Sequence, residues 1–416
     1  HYESLGIFTH ILPYAYPSVH GTALSLASVY CAMEWVRGRK RVALVLCAGF
    51  AFLALLARVE MGLMALAGAA VGLAAARRVR EDVPYAAPSI AAWTLVPAAA
   101  AALVYAGFWW LGRGAVKGSG LFDIWAANLD PGRGMTGWVL GTVGLAGNLK
   151  LLGWSLVLHL LALGAASLGS LRISLALSEG REALAWAAGI VSLALLVLFA
   201  HRGAAFDVQY RILPLLCAWV ALAALARLVR GQGGRDDALI LTLASFALVF
   251  CGRMLFNVRP GHYGSHLLVP GLAVYFAALF RIAPRLTVEP GRGFFAWGMA
   301  VFALVSLSSY FQVSEGFYRR RGLRVDSPRG SLRVLEDDRG RRNLDLIEYV
   351  RRNAGPGDTL AVFPEGSAVN FFSGLPNPLY HYSYLPVDLA RPGVEEAVAA
   401  GLGSRRVEWA AVVQRP

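Results

Sequence analysis

Three short stretches of this sequence combine guanidinium, imidazole and carboxylate groups beside long apolar segments. Arginine binds two phosphate oxygens at once through its planar guanidinium, and a carboxylate or a histidine takes a proton from a hydroxyl group. Ionisable groups near membrane depth are costly, so they tend to face a cavity or each other. The set therefore predicts a polar cavity for a phosphate-bearing substrate. Its members are Arg58 and Glu60; His201, Arg202, Asp207 and Arg211; and Arg259, His262, Tyr263 and His266.

Glu60 and Asp207 are the candidates for the catalytic carboxylate, and the sequence does not decide between them. The other members are predicted to bind phosphate or to line the cavity. Structural alternatives stay open. Arg58 and Glu60 also fit a local ion pair at the membrane interface, and the i, i+4 spacing of Asp207 and Arg211 also fits pairing at the start of a helix.

A metal or nucleotide cofactor is not predicted. His262 and His266 have the spacing of a metal pair on a helix. Gly261 and Gly264 interrupt that stretch, and no third ligand lies nearby in the sequence. A divalent cation stays open as an alternative. Neither GxxxxGK[ST] nor GxGxxG after a strand occurs, so ATP and NAD chemistry is not expected.

The segments that must position these residues are long and apolar. The chain has 416 residues, of which 57% are hydrophobic and 16% charged, whereas a soluble domain has about a quarter charged residues. Apolar runs near the length of a membrane span recur along the chain. They predict a mainly α fold, a polytopic bundle of about ten transmembrane helices. The predicted helices cover residues 20–36, 42–57, 61–76, 88–111, 151–168, 183–200, 212–225, 238–256, 267–280 and 294–311.

The basic residues orient this bundle. Lysine and arginine beside membrane spans are retained on the cytoplasmic side. The dense cluster Arg37-Gly-Arg-Lys-Arg41 and a second cluster at Arg77, Arg78 and Arg80 therefore predict which helix ends lie inside. The candidate site then lies at the outer ends of the helices. The net charge of +13 comes from short loops between helices, which favours anionic membrane lipid, and not nucleic acid, as the partner.

The composition changes after the last apolar run, dividing the chain into a membrane domain, 1–312, and a second domain, 313–416. An amphipathic helix is predicted over 343–353, strands over 359–363 and 407–413, and short helices over 365–372 and 394–400. The alternation predicts a small extracytoplasmic α/β domain. Since the chain stops just after the last strand, the domain is expected to be truncated. The four cysteines, all inside apolar runs, are expected to be buried core residues.

Short motifs in the chain resemble those of bacterial polytopic GT-C glycosyltransferases, the family-39-like, protein-mannosyltransferase and aminoarabinose-transferase relatives. The resemblance covers most of the chain. The motifs are Arg58-Val-Glu60, Asn257-Val-Arg-Pro-Gly-His-Tyr-Gly264, Phe363-Pro-Glu-Gly366, Asn370-Phe-Phe372 and Leu375-Pro-Asn-Pro378.

This resemblance implies a multi-pass protein of the cytoplasmic membrane that moves a sugar from a polyprenyl-phosphate donor to an acceptor at the outer face. The acceptor is a lipid, a glycan or a protein. In such proteins the catalytic acid lies in a first external loop that follows an N-terminal helix. No such helix precedes His1, so this chain is expected to be a fragment without that loop. The alternatives are a transporter or flippase for a lipid-linked glycan, or an assembly protein without catalytic activity.

Overall fold

A computed structural model describes most of the chain. The described residues are 16–38, 41–79, 87–112, 145–202, 210–252, 265–282, 291–364, 366–379, 384, 389, 393–404 and 407–413. The chain divides into two compact units. The first comprises residues 1–108 and 143–314, and the second comprises residues 109–142 and 315–416.

Long apolar helices build the first unit, and each of the ten predicted segments is helical where it is described. A short 3-10 turn, Tyr210–Ile212, leads into α7, and a π turn, Ala278–Ile282, follows α9. The helices are α1 Tyr16–Val36, α2 Val42–Ala57, α3 Val59–Val79, α4 Ala87–Gly112, α5 Leu145–Ser178, α6 Glu182–Arg202, α7 Leu213–Val229, α8 Arg235–Gly252, α9 Ser265–Ala277 and α10 Arg292–Arg319.

Five described helical stretches are long and apolar enough to cross a membrane. They are Val59–Val79, Leu149–Ser178, Glu182–His201, Tyr210–Val229 and Arg292–Ser309. Three further helical stretches are apolar but shorter. They are Val42–Ala57, Ala92–Phe108 and Leu268–Phe280. The prediction of a mainly helical, membrane-embedded protein is therefore confirmed in its coarse form.

Helix α8 packs against α1, α3, α7 and α9 and is the centre of one half of the first unit. Small residues let α3 approach it closely. A Cβ atom on Gly68 would lie 2.6 Å from Cβ of Phe246, and one on Gly72 would lie 2.7 Å from Oγ1 of Thr242. Because no hydrophobic effect drives helices together within lipid, close packing of this kind is a main source of association.

Helix α1 is joined to its neighbours by buried hydroxyl groups. Ser28 donates to the carbonyl of Cys47 on α2 at 2.8 Å, and Ser25 donates to the carbonyl of Met61 on α3 at 2.9 Å. Both acceptors lie outside α1, so these bonds fix its position in a region that offers little competing water.

The other half of the first unit is centred on large apolar side chains of α10. Phe295, Met299 and Phe302 pack with residues of α5, α6, α7 and α9 in one buried cluster. Contacts in this region also show that α7 begins where α8 finishes, so the two helices run in opposite directions. Leu213 at the start of α7 lies beside Gly271 of α9 and Cys251 near the end of α8.

The described part of the second unit contains two small sheets and three helices. Strands β1 (Leu323–Ser327) and β2 (Gly330–Val334) form an antiparallel hairpin. Strands β3 (Leu360–Phe363) and β4 (Trp409–Val412) pair in parallel. The helices are α11 (Asp338–Asn353), α12 (Ser367–Ser373) and α13 (Val394–Ser404).

Helix α11 organises the core of this unit. Asp337 caps its first turn by accepting a hydrogen bond from the backbone of Gly340 at 2.7 Å. On its inner face, Ile347 and Val350 pack with Val325 of β1 and with Leu360 of β3. The predicted helices and the two parallel strands of this unit are confirmed, whereas the β1–β2 hairpin was not predicted.

Candidate functional site

Arg58 and Glu60 form an ion pair in the tight connection between α2 and α3. Arg58 Nε and Glu60 Oε1 are 2.5 Å apart, and the two side chains are 35% and 32% exposed. The connection packs against α1, where a Cβ atom on Gly21 would contact Met61 at 3.1 Å. The structure therefore shows these two residues as a local ion pair, the contact on which their structural alternative depends. Partial exposure leaves the pair accessible to a ligand.

Arg211 is buried at the start of α7, with 2% of its surface exposed. It lies in the 3-10 turn Tyr210–Ile212, which packs on α5. The backbone nitrogen of Ile212 donates to Oγ of Ser155 on α5 at 3.1 Å, which holds the turn in place. A guanidinium at the end of an apolar helix, held by a fixed backbone, is suited to binding a phosphate that enters from that end.

His159 lies one turn from Ser155 on α5 and is 4% exposed. Its Nδ1 lies 2.7 Å from the carbonyl oxygen of Ser155. Since a carbonyl only accepts, Nδ1 carries the proton of this bond. Among the described residues, Nε2 has no hydrogen-bond partner. This nitrogen is the group through which His159 could interact with a polar ligand.

Two tyrosines extend this region toward α9. The ring of Tyr275 meets the ring of His159 edge-on at 5.7 Å, and the rings of Tyr210 and Tyr275 are 6.4 Å apart. We define the buried polar cluster as Ser155, His159, Tyr210, Arg211 and Tyr275. It lies at the interface of α5, α7 and α9 and comprises groups that could bind an anion and a hydroxyl group.

Of this cluster, only Arg211 was predicted as a site residue. Ser155 and His159 were missed because both lie within an apolar run, away from the helix ends where site residues were expected. A signal was available, since an ionisable residue inside a membrane-spanning segment is itself an indication of function. Tyr275 carried no such signal, because aromatic residues are common in apolar helices.

The remaining predicted residues are only partly described. His201 is exposed in the last turn of α6. Arg202 ends α6 and His266 is the second residue of α9, but the description of both is limited to the backbone. Four predicted residues lie outside the described part of the chain. They are Asp207, Arg259, His262 and Tyr263.

The described helices nevertheless show where the predicted stretches connect. Helix α6 ends and α7 begins at the end of the unit where α8 ends and α9 begins, as the contacts of Leu213 with Cys251 and Gly271 require. Gly68 lies against Phe246 and Gly72 against Thr242, so α3 runs antiparallel to α8 and begins at the end where α8 finishes, which brings the α2–α3 connection to the same end. The three predicted stretches therefore start and finish at one end of the bundle, the site end.

No group of three or more histidine, cysteine or acidic residues that could hold a metal ion occurs in the described part of the chain. The pair His262 and His266 is not tested by this observation, because His262 lies outside that part. The four cysteines are buried and free, as their positions in apolar runs predicted.

The second unit gives its motif residues structural contacts. Nδ2 of Asn370 donates to the carbonyls of Leu360 at 2.7 Å and Leu375 at 3.1 Å. This amide therefore links β3, α12 and the segment that follows. Glu365 of the Phe363-Pro-Glu-Gly366 motif lies outside the described residues.

Tyr384 packs beside the same motif. Its ring lies 4.6 Å from that of Phe363, and its backbone nitrogen donates to the carbonyl of Pro364 at 2.7 Å. Burial raises the pKa of the Tyr384 hydroxyl, and a hydrogen bond with Asn377 partly offsets this effect. The hydroxyl therefore stays protonated at neutral pH.

Comparison of the chain with protein families, with curated proteins and with solved structures gave no match. The resemblance to GT-C glycosyltransferases therefore stays a prediction that comes from the sequence motifs.

Proposed function

We propose that this protein is an integral-membrane glycosyltransferase that moves a sugar from a polyprenyl-phosphate donor to a hydroxyl-bearing acceptor. In this proposal it resides in the cytoplasmic membrane. The basic connections face the cytoplasm, and the site end of the bundle and the second unit face outward. The sugar, and the choice of lipid, glycan or protein as acceptor, are left open.

The observation that carries the proposal is the position of Arg211. Its guanidinium lies at the site end, at the start of a helix long and apolar enough to span a membrane. The connection that leads into α7 contains Asp207, and the connection between α8 and α9 contains Arg259 and His262. Cationic, acidic and imidazole groups thus belong to connections whose flanking helices end at the site end.

The chemistry required of such a site is limited. The bond between the anomeric carbon and the donor phosphate oxygen breaks, and a bond between that carbon and the acceptor oxygen forms. The leaving phosphate is stabilised by arginine, and the acceptor proton passes to a carboxylate or imidazole. Since the donor is already activated by its phosphate, no nucleotide-binding motif is needed, in agreement with the sequence.

Substitution of the two arginines tests this proposal in the full-length protein. Arg211→Ala and Arg259→Ala are each expected to lower the rate of sugar transfer by about 100-fold or more, because each removes a donor to the leaving phosphate. The measurement follows release of labelled sugar from a panel of polyprenyl-phosphate donors. Arg230→Ala, an exposed arginine after α7 at the opposite end, is the matched control.

Elution volume in detergent and thermal unfolding separate loss of chemistry from loss of fold. Well-folded variants that both transfer sugar at the rate of the parent chain would remove the two arginines from the mechanism. Absence of transfer from every donor tested, in the parent chain itself, would contradict the proposed function.

One observation favours a second function, transport of a lipid-linked glycan. His159 and Ser155 lie within the span of α5 and not at its end, and polar groups at that depth are typical of substrate pathways. A donor labelled in both its sugar and its lipid distinguishes the two. Transfer separates the labels, whereas transport moves both labels together to the other face of the membrane.

A further inference from the structure

A cleft of about 340 Å³ opens at the end of the first unit that is remote from the site end. Four helices form it, namely α1, α7, α8 and α9. Arg37 follows the last residue of α1, and Asp236 is the second residue of α8, so the mouth lies where these helices end and begin. The volume lies within the range of small-molecule sites, about 300–1,000 Å³.

The lining of this cleft changes from charged to apolar with depth. On α8, Asp236 lies at the mouth, Leu239 and Ile240 lie one turn deeper, and Leu243 lies a further turn in. Seven residues of helix correspond to about 10 Å. On α1, Arg37 lies at the mouth and Met33 one turn deeper. An amphiphile with its polar group at the mouth and its chain inside matches this gradient.

The mouth carries both signs of charge. Nη1 of Arg37 pairs with the buried carboxylate of Glu34, yet 43% of the arginine side chain is exposed. This geometry fixes the guanidinium and leaves part of it accessible. Asp236 is exposed in the first turn of α8. A ligand with a single charge would satisfy one of these groups and repel the other.

We propose that this cleft binds one bilayer phospholipid with a zwitterionic, amine-bearing headgroup of the phosphoethanolamine type. The phosphate binds the guanidinium of Arg37, which suits phosphate oxygens. The ammonium group donates to the carboxylate of Asp236, and an acyl chain lies along Leu239 and Leu243. The proposal does not depend on the proposed glycosyltransferase function.

Headgroup chemistry then predicts an order of affinity. Phosphatidylethanolamine provides both a phosphate and an ammonium with N–H donors. Phosphatidylcholine provides the phosphate but has no N–H group for Asp236. Phosphatidylglycerol provides the phosphate and neutral hydroxyl donors but brings no cation to Asp236. Affinity is therefore expected to fall from the first lipid to the last.

The end of α9 gives the cleft its remaining wall. Val274, Ala277 and Ala278 line it, and Ala278 begins the π turn that follows α9. Local π geometry widens a helix and often marks a functional site. Exposed Ala277 has a small side chain, so a bulky residue at this position would fill the cleft without entering the core.

The test titrates the delipidated full-length protein with each of the three lipids in detergent, using native mass spectrometry to count bound molecules. We expect phosphatidylethanolamine to bind about tenfold more tightly than phosphatidylglycerol, the effect of one charge-assisted hydrogen bond. Asp236→Asn is expected to abolish this preference. Asp237→Asn, whose carboxylate instead lies 3.0 Å from Arg227, is the matched control and should retain it.

Two further variants test the binding of the lipid phosphate and of the acyl chain. Arg37→Gln, combined with Glu34→Gln so that no buried carboxylate loses its partner, should weaken binding of all three lipids. Ala277→Trp should prevent binding of all three, whereas Ala273→Trp, one turn away on the exposed side of α9, should not. Equal affinity for the three lipids in the parent chain, or unchanged binding by Ala277→Trp, would overturn the proposal.

Discussion

Asn370 shows how one side chain can hold several segments together. Its amide nitrogen donates two hydrogen bonds, to Leu360 on β3 and to Leu375 beyond α12. The backbone nitrogen of Gly374 donates to the Asn370 carbonyl at 3.0 Å and closes α12. At this scale, the motif that resembles a glycosyltransferase signature has a structural explanation, because one amide group donates to carbonyls of two different segments.

Asn370→Asp is therefore expected to destabilise the second unit by about 1–3 kcal/mol. The carboxylate has nearly the same shape as the amide but places an acceptor against two carbonyl oxygens. Hydrogen–deuterium exchange of β3 and α12 in the full chain measures the loss of protection.

Asn353→Asp is the control for this substitution. The amide of Asn353 is exposed and donates one bond, to the carbonyl of Tyr349, so its loss should change protection little. Equal protection of β3 from hydrogen–deuterium exchange in the parent chain and in Asn370→Asp would show that the two hydrogen bonds of the Asn370 amide do not stabilise the unit.

At the scale of elements, the contact between α3 and α8 depends on the absence of side chains. Gly68 and Gly72 are four residues apart and lie on one face of α3, against Phe246 and Thr242. This small-xxx-small spacing brings helix backbones together in a membrane. The fit is close enough for a single methyl group to disturb it.

Gly72→Ala is expected to destabilise the protein by about 1–3 kcal/mol, because the new Cβ would lie 2.7 Å from Oγ1 and 2.8 Å from Cγ2 of Thr242. Thr242→Ala removes both atoms, so the double variant should regain much of the loss. Thermal unfolding in detergent measures the effect.

Gly49→Ala on α2 is the matched control, since no atom lies within 4 Å of the position that its new methyl group would take. Ala is favoured over Gly in a helix by up to about 1 kcal/mol, so this variant should be neutral or more stable. A Gly72→Ala protein that is also neutral would show that α3 and α8 can separate without cost.

At the scale of the whole molecule, the first unit has two chemically different ends. The site end carries Arg211 and the Arg58–Glu60 pair. The opposite end carries the cleft lined by Arg37 and Asp236, and basic residues at helix ends, namely Arg41, Arg77 and Arg230. Since the cost of moving such groups across lipid is high, we expect the bundle to have one stable orientation, the one that the positive-inside rule predicts.

Thiol labelling of intact cells tests this orientation. His201→Cys at the site end should react with a membrane-impermeant maleimide from outside. Ser178→Cys and Gln232→Cys, exposed near connections at the opposite end, should react only after permeabilisation. The native cysteines are buried and should react slowly in all samples. Labelling of all three variants from the same side would contradict the alternating arrangement.

Local sequence was enough to predict where the helices lie and that strands β3 and β4 exist. Apolar length and 3.6-residue periodicity are local properties, so α2 and α11 follow from their own residues. The β1–β2 hairpin was missed because each strand offers only two clearly apolar residues. Its alternation of Leu323 and Val325 with charged residues was the available signal.

Which polar groups meet depends on how the helices pack. His159 and Tyr275 are over a hundred residues apart in the chain, and their contact depends on how α5 and α9 pack. Arg37 and Asp236 are also far apart in the chain, and they line one cleft because α1 packs against α8. Helix formation is governed by neighbouring residues, whereas burial depends on residues far apart in sequence. The buried polar cluster and the cleft between α1, α7, α8 and α9 therefore became visible only when the helices were assembled.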